Sequence, residues 1–202
     1  RIVNQLKLLL IKNNIDIKNE HSLNELNIKN KKVISVKINN TELKNFNNIV
    51  YNGDPITLYK KILKGNISFK NRLLTSNVKI SMGLYVLFFG TKVKYKDVPH
   101  HSIIFCKRFR ELLSDIFNAK NLSNDFSLYL HRPTATDTNF APNDCDSFYV
   151  LSPVPNLALF NDWVAKEKLY RKEIINYLEK RLLKNLKKNI VHEFSITPND
   201  FE

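Results

Sequence analysis

The chain has 202 residues, 43% of them hydrophobic, which suffices for one domain with a core, or one domain and part of another. Its formal charge of +13 comes from Lys scattered along the whole length among Asn, not gathered into the basic stripe of a nucleic-acid binder, so no nucleic-acid partner is expected. Cys106 and Cys145 stand far apart with no ligand-like spacing to His, which argues against a disulfide framework and against a structural metal site.

The elements are read in chain order. Ile2, Leu6, Leu9 and Leu10 predict a helix over 2–12, ended by Asn13-Asn14. The chain starts at Arg1 rather than Met and enters this pattern at once, so it reads as starting inside a helix. Short strands are expected at Ile15 to Ile17, Lys32 to Ile38, Leu43 to Phe46 and Ile49 to Tyr51, with Asn39-Asn40 as a hairpin turn. Asn52-Gly53-Asp54-Pro55 is a turn signal, and Pro55 suits the first turn of a helix carrying Ile56, Tyr59, Ile62 and Leu63. Residues 64–76 read as a connection.

A long central strand covered on both faces is expected from Lys79 to Phe89, because apolar residues fill both of them. Its apolar run, Met82 to Phe89, is far shorter than the roughly 20 residues that cross a bilayer as a helix. A strand at Ser102 to Phe105 and a helix with Phe109, Leu112, Leu113, Ile116 and Phe117 on one face follow. Asp125 to His131 alternates as a strand, and Ser147 to Leu151 is its expected sheet partner. Asn161 or Asp162 caps a long helix with a stripe of Ile174, Leu178, Leu182 and Leu186. Ile190 to Ile196 reads as a last strand, and Thr197-Pro198-Asn199-Asp200 announces a helix that the chain does not complete. The whole is α+β, with a small sheet segment in 1–64, a connection in 65–74 and a larger layered unit in 75–196.

Four glycines, Gly53, Gly65, Gly83 and Gly90, form neither GxGxxG nor a P-loop, so the sequence holds no standard phosphate cradle. His100-His101 reads first as a hydrogen-bonded or exposed pair. Neighbours on a strand point to opposite faces, which argues against one shared metal. His131-Arg132 ends a strand at a loop and is a candidate for lining a pocket, beside the plainer reading of structural hydrogen bonding. Asp137, Asp144 and Asp146 lack calcium-loop spacing and read as solvated turn residues. No catalytic residue is assigned.

The most specific text lies in 81–155. SMGLYVLFFG (81–90), PHH (99–101) and RFRELL (108–113) resemble consecutive segments of bacterial phytoene desaturases. DFSLYLHRPTATDTNFAP (125–142), CDSFYVLSPVPNL (145–157) and TPNDF (197–201) are similar to signatures of that family, in order and at compatible distances. The likeness covers nearly the whole chain and weakens in 1–75.

The resemblance implies a fold like the flavin amine oxidases: a partial FAD-binding domain in 1–64, a mixed-sheet substrate-binding domain in 75–196, and a truncated return to the FAD domain in 197–202. It implies FAD as cofactor in the complete enzyme, with both Rossmann-type glycine motifs absent here and none of the flavin retained by this chain alone. The implied reaction passes a hydride from an allylic C–H to the flavin, with loss of a proton from the adjacent carbon, in a linear C40 or C30 polyene precursor dissolved in lipid. The implied partners are that precursor, the missing N- and C-terminal segments, and the cytoplasmic side of a membrane, touched peripherally. By the same resemblance Ser22, Leu23, Asn52 and Gly53 approach the cofactor, Gly53 standing where the family favours Ala. Phe88, Phe126, Phe148 and Leu151 are candidates for tunnel walls against the competing reading of core packing; Tyr129, His131 and Arg132 join them as lining candidates. A carotenoid isomerase, an amine-oxidase-like flavoprotein, or a non-catalytic remnant that binds membrane or a partner chain remain alternatives.

Overall fold

The computed structural model describes residues 2–39, 41–63, 66–76, 78–118 and 122–201. Asn40 of the expected hairpin turn and Gly65 of the expected connection lie outside them. The chain divides into two units, Arg1–Lys79 and Ile80–Glu202. Among the described residues no helix is long and apolar enough to cross a membrane.

In the first unit, helix α1 spans Ile2–Lys12. Asn13 Nδ2 closes it by donating to the Leu9 carbonyl at 2.8 Å, and Asn14 turns the chain away with φ 56°. Strands β1 (Leu23–Lys29), β2 (Lys32–Ile38) and β3 (Thr41–Leu43) form an antiparallel sheet in that order. Asn30 and Lys31 both take positive φ, at 51° and 62°, as a two-residue hairpin turn requires. Leu26, Val36 and Ile62 make a small core over this sheet.

The strands expected at 15–17 and 49–51 do not form, and Val50 is 92% exposed. Three-residue extended runs without a partner edge leave backbone groups unpaired, so water satisfies them better. Asp54 caps helix α2 (Pro55–Thr57) by accepting from the Thr57 N–H at 2.6 Å, and a π turn carries the chain on to Ile62. The expected connection instead contains helix α3 (Phe69–Ser76). Its start signal is Ser68, whose Oγ accepts from the Asn71 N–H at 3.3 Å.

The second unit is built on strands β4 (Gly83–Thr91), β5 (His101–Ile104), β6 (Leu128–His131), β7 (Asp146–Val154) and β8 (Ile190–Ile196). The spatial order is β5-β6-β7-β4-β8, and every described pairing is antiparallel, which corrects the expected mixed sheet. β4 is central, as expected, but starts at Gly83 rather than Lys79. The Asn156 side-chain amide binds the carbonyls of Ile80 and Ser81 at 3.3 and 3.1 Å and takes that stretch off the ladder.

Helix α5 (Trp163–Arg181) covers one face of the sheet. Trp163 stacks on Tyr85 at 5.6 Å, and Tyr170 meets Tyr85 edge-on at 5.0 Å. Burial pushes the Tyr85 and Tyr170 phenols upward, so both stay neutral. On the same side Glu167 accepts from Ser195 Oγ at 2.6 Å and pairs with Arg171, tying α5 to β8. The expected stripe breaks at the helix end. Both the Leu182 and Leu183 N–H groups bond the Leu178 carbonyl, and this widened closing turn exposes Leu182 and buries Leu183 completely. The short helix α6 (Leu186–Asn189) then adds the buried Leu186. Helix α4 (Phe109–Asn118) buries Leu112 and Ile116 with Cys106 and leaves Phe109 and Phe117 exposed.

Candidate functional site

Strand alternation sorts the candidate residues by face. Phe148, Val150, Leu128, Leu130, Tyr85 and Leu87 point to the side covered by α5 and are buried. The opposite face carries an unbroken cross-strand row, one residue from each strand: His101, His131, Tyr149, Phe88 and Phe194. Phe88 stacks on Phe194 at 4.7 Å and meets Tyr149 at 5.8 Å, while Tyr149 lies 4.5 Å from His131. A second row beside it runs Ile103, Tyr129, Leu151, Val86 and Ile196. No helix among the described residues covers this face with a buried core, and Ile103 is 66% and Phe194 48% exposed.

Of the residues expected to line a substrate site, Phe88, Tyr129, His131 and Leu151 therefore share one open wall. Phe126 and Phe148 do not. Phe126 packs edge-on against Tyr170 and Tyr177, and Phe148 stacks on Phe89, so both are core. Period-two alternation put Phe126 in a strand that begins only at Leu128, and it placed Phe148 one step out of phase with Tyr149. Tyr149 and Phe194 were the wall residues that sequence reasoning passed over. The signal was there in their alternation with Phe148 and Ser195.

At the β5 edge three histidines meet. The His100 and His101 rings are 4.2 Å apart on the same side, although adjacent strand residues were expected to diverge. The reason is that His100 precedes β5 and is not bound by strand alternation. Its carbonyl accepts from the Arg132 N–H at 2.8 Å, which fixes it beside the end of β6. His100 Nε2 lies 2.6 Å from His131 Nε2, and His100 Nδ1 is bonded to Thr136 Oγ1. His101 Nδ1 bonds the Tyr129 hydroxyl at 2.6 Å. Burial, then the neighbouring His100 and His101, push the His131 pKa down, so its imidazole stays neutral more readily than a free one. Burial and Tyr149 push the Tyr129 phenol up.

Arg132 is not on the open wall; its head group is held inside the fold. Its Nε sits 2.9 Å from Asp146 Oδ2 and its Nη1 donates to the Val98 carbonyl at 2.6 Å, with both side chains buried. Asp146 also accepts from Thr134 Oγ1 at 2.7 Å and from the Tyr95 N–H at 2.7 Å. Asp146 was expected to be a solvated turn residue. Instead it opens β7 facing inward and anchors two loops. Asp137 and Asp144 do stay at the surface, Asp137 capping a short 3-10 turn.

The four residues expected near a cofactor lie in the first unit, and the backbone groups of Ser22 are engaged internally. The Ser22 N–H donates to Asn39 Oδ1 at 2.9 Å, and the Ser22 carbonyl accepts from the Asn39 N–H at 3.2 Å. Leu23 begins β1 and packs on the small core. A Cβ on Gly53 would overlap the Tyr51 ring, whose hydroxyl reaches the Asp54 carbonyl at 3.3 Å. The glycine between Asn52 and Asp54 thus makes room for a tyrosine. The described residues do not fit a flavin diphosphate, which needs several free backbone N–H groups at a glycine-rich turn.

Comparisons with known proteins bear on the whole chain. No family model matches it. It is 36% identical over 179 residues to the lycopene-forming phytoene desaturase of Pseudescherichia vulneris, covering 88% of this chain and 36% of that protein. It is 40% identical over 155 residues to the lycopene-forming phytoene desaturase of a Paracoccus species, covering 76% of this chain and 31% of that one. In fold it is similar to a crystal structure of an oxidoreductase from Methanosarcina mazei, with TM-score 0.61 at 10% identity, over 97% of this chain and 41% of that one. The chain therefore spans about a third of the length of the curated relatives it matches, and across that span it belongs to the bacterial phytoene desaturase family.

Proposed function

We propose that this chain supplies the substrate wall of an FAD-dependent carotenoid desaturase, and that a linear polyene precursor lies along the open face of its five-stranded sheet. The observation that carries this reading is the aromatic row from His101 to Phe194, with the apolar row beside it, on a face that α5 leaves uncovered. Five strands at a spacing of about 4.8 Å make a wall about 19 Å wide. A hydrocarbon offers few polar handles, so a broad apolar surface on a rigid sheet is the recognition it permits. Arg132 and Asp146 act behind the wall, by fixing the loops at its edge.

In this reading residues 1–64 are part of an FAD-binding domain, residues 75–196 the substrate-binding domain, and residues 197–202 the return to the first. FAD supplies the redox chemistry of the family when bound. The described residues of this chain give it no diphosphate cradle, so the segments flanking them in a complete enzyme are required partners. Purified chain mixed with FAD is expected to emerge from gel filtration colourless; flavin absorbance co-eluting with the protein would overturn this. Peripheral contact with the cytoplasmic side of a membrane fits the proposal. Leu6, Leu8 and Leu9 on α1 are all exposed, and the charge of +13 favours an anionic lipid surface.

A graft tests the wall directly. Placed in the Pseudescherichia vulneris enzyme in exchange for its matching segment, this chain should support desaturation of phytoene in liposomes with added FAD. Phe88→Asp with Leu151→Asp in that graft should lower product formation by at least about 100-fold, since a charged group facing hydrocarbon costs several kcal/mol. A folded, flavin-loaded graft that ignores both substitutions would remove the wall from the mechanism.

A further inference from the structure

We infer that His100, His101 and His131 form a binding site for one divalent first-row transition-metal ion, of the zinc or cobalt class. One ring nitrogen from each histidine lies within 4.8 Å of the others. The three are brought together by the β5–β6 pairing, where His101 stands directly opposite His131, and by the hydrogen bond from the Arg132 N–H to the His100 carbonyl. These contacts belong to the sheet itself, so the cluster sits on a rigid element.

The second ring nitrogens of His100 and His101 are arranged as those of metal-ligating histidines usually are. His100 Nδ1 is held by Thr136 Oγ1 and His101 Nδ1 by the Tyr129 hydroxyl. An outer partner of this kind fixes the ring and leaves Nε2 for a metal. His131 offers a further observation: its Nδ1 is buried with no hydrogen-bond partner. Because the ion would sit on Nε2, this is the one second ring nitrogen of the cluster that lacks an outer partner.

Distances favour a small ion. Zinc binds imidazole nitrogen at about 2.0–2.1 Å, so two ligands in tetrahedral geometry stand about 3.3 Å apart. His100 Nε2 and His131 Nε2 stand 2.6 Å apart, hydrogen-bonded ring to ring, so an ion would replace that shared proton and open the pair to about 3.3 Å. Imidazoles without a carboxylate suit zinc, cobalt, nickel or copper rather than calcium or magnesium. Three protein ligands leave a fourth position for water or another small ligand.

The test uses the full 202-residue chain without an affinity tag, stripped with chelator and titrated with Co²⁺ while the visible absorption of the bound ion is followed. One ion per chain with a tetrahedral spectrum is expected, displaced by Zn²⁺. His131→Ala and, separately, the more exposed His101→Ala should each weaken binding by about 100-fold or more. Thr136→Val should weaken it by about 10-fold through loss of ring orientation. His192→Ala, on β8, should leave it unchanged. Trp163 fluorescence reports whether each variant is folded. Weak binding that no histidine variant alters would overturn the site. So would ring-nitrogen NMR signals showing a proton shared between His100 and His131 that excess Zn²⁺ does not displace.

Discussion

Asp146→Ala should destabilise the larger unit by about 3–5 kcal/mol, because it strands the Arg132 guanidinium in the interior without its counter-ion. The carboxylate is fully buried and accepts from Arg132, Thr134 and the Tyr95 N–H, so the substitution also leaves two other donors unsatisfied. Urea unfolding followed by the fluorescence of Trp163, the single tryptophan and a core residue of this unit, measures the effect. A loss under about 1 kcal/mol would mean that the pair is solvated and that Arg132 is free to face a ligand after all. The paired change Arg132→Met with Asp146→Leu should recover much of the loss, since an apolar pair of similar volume has no charge to desolvate.

The second expectation separates the two faces of the sheet. Phe148→Ala should cost about 3–5 kcal/mol, because Phe148 stacks on Phe89 at 5.0 Å in a closed core and its removal leaves a cavity. Phe194→Ala, on the neighbour strand of β4 but on the open face and 48% exposed, should cost about 1 kcal/mol or less. The same unfolding measurement decides both. Equal losses would show that the open face is packed in solution, and the substrate wall would lose its surface. The contrast matters for function, since a wall residue is retained for what it touches from outside and a core residue for what it holds together.

Much of this was legible beforehand. The helix over 2–12, the strands at 32–38 and 190–196 and the helix start at Pro55 follow from local spacing and turn chemistry. The final turn also formed as read: Thr197 donates through its N–H and its hydroxyl to Asp200 at 2.7 Å. Where expectation failed, the decisive partner was distant in sequence. Asn156, far along the chain, ends the ladder at Ile80 and Ser81. The absence of strands at 15–17 and 49–51 has the same cause, for an extended run persists only where another strand pairs with it.

The family likeness and the lack of a glycine-rich phosphate turn are properties of the sequence, since both depend on residue identity and spacing alone. Apolar residues on both sides of β4 announced a strand covered on both faces, whereas among the described residues a helix with a buried core covers one of them. Which face α5 would cover was decided by tertiary structure, and with it the division of Phe88 and Leu151 from Phe126 and Phe148. The meeting of His100, His101 and His131 is of the same kind. A period-two pattern fixes the relative phase of side chains along one strand, whereas burial and clustering arise from pairings between segments about 30 residues apart, which no local pattern encodes.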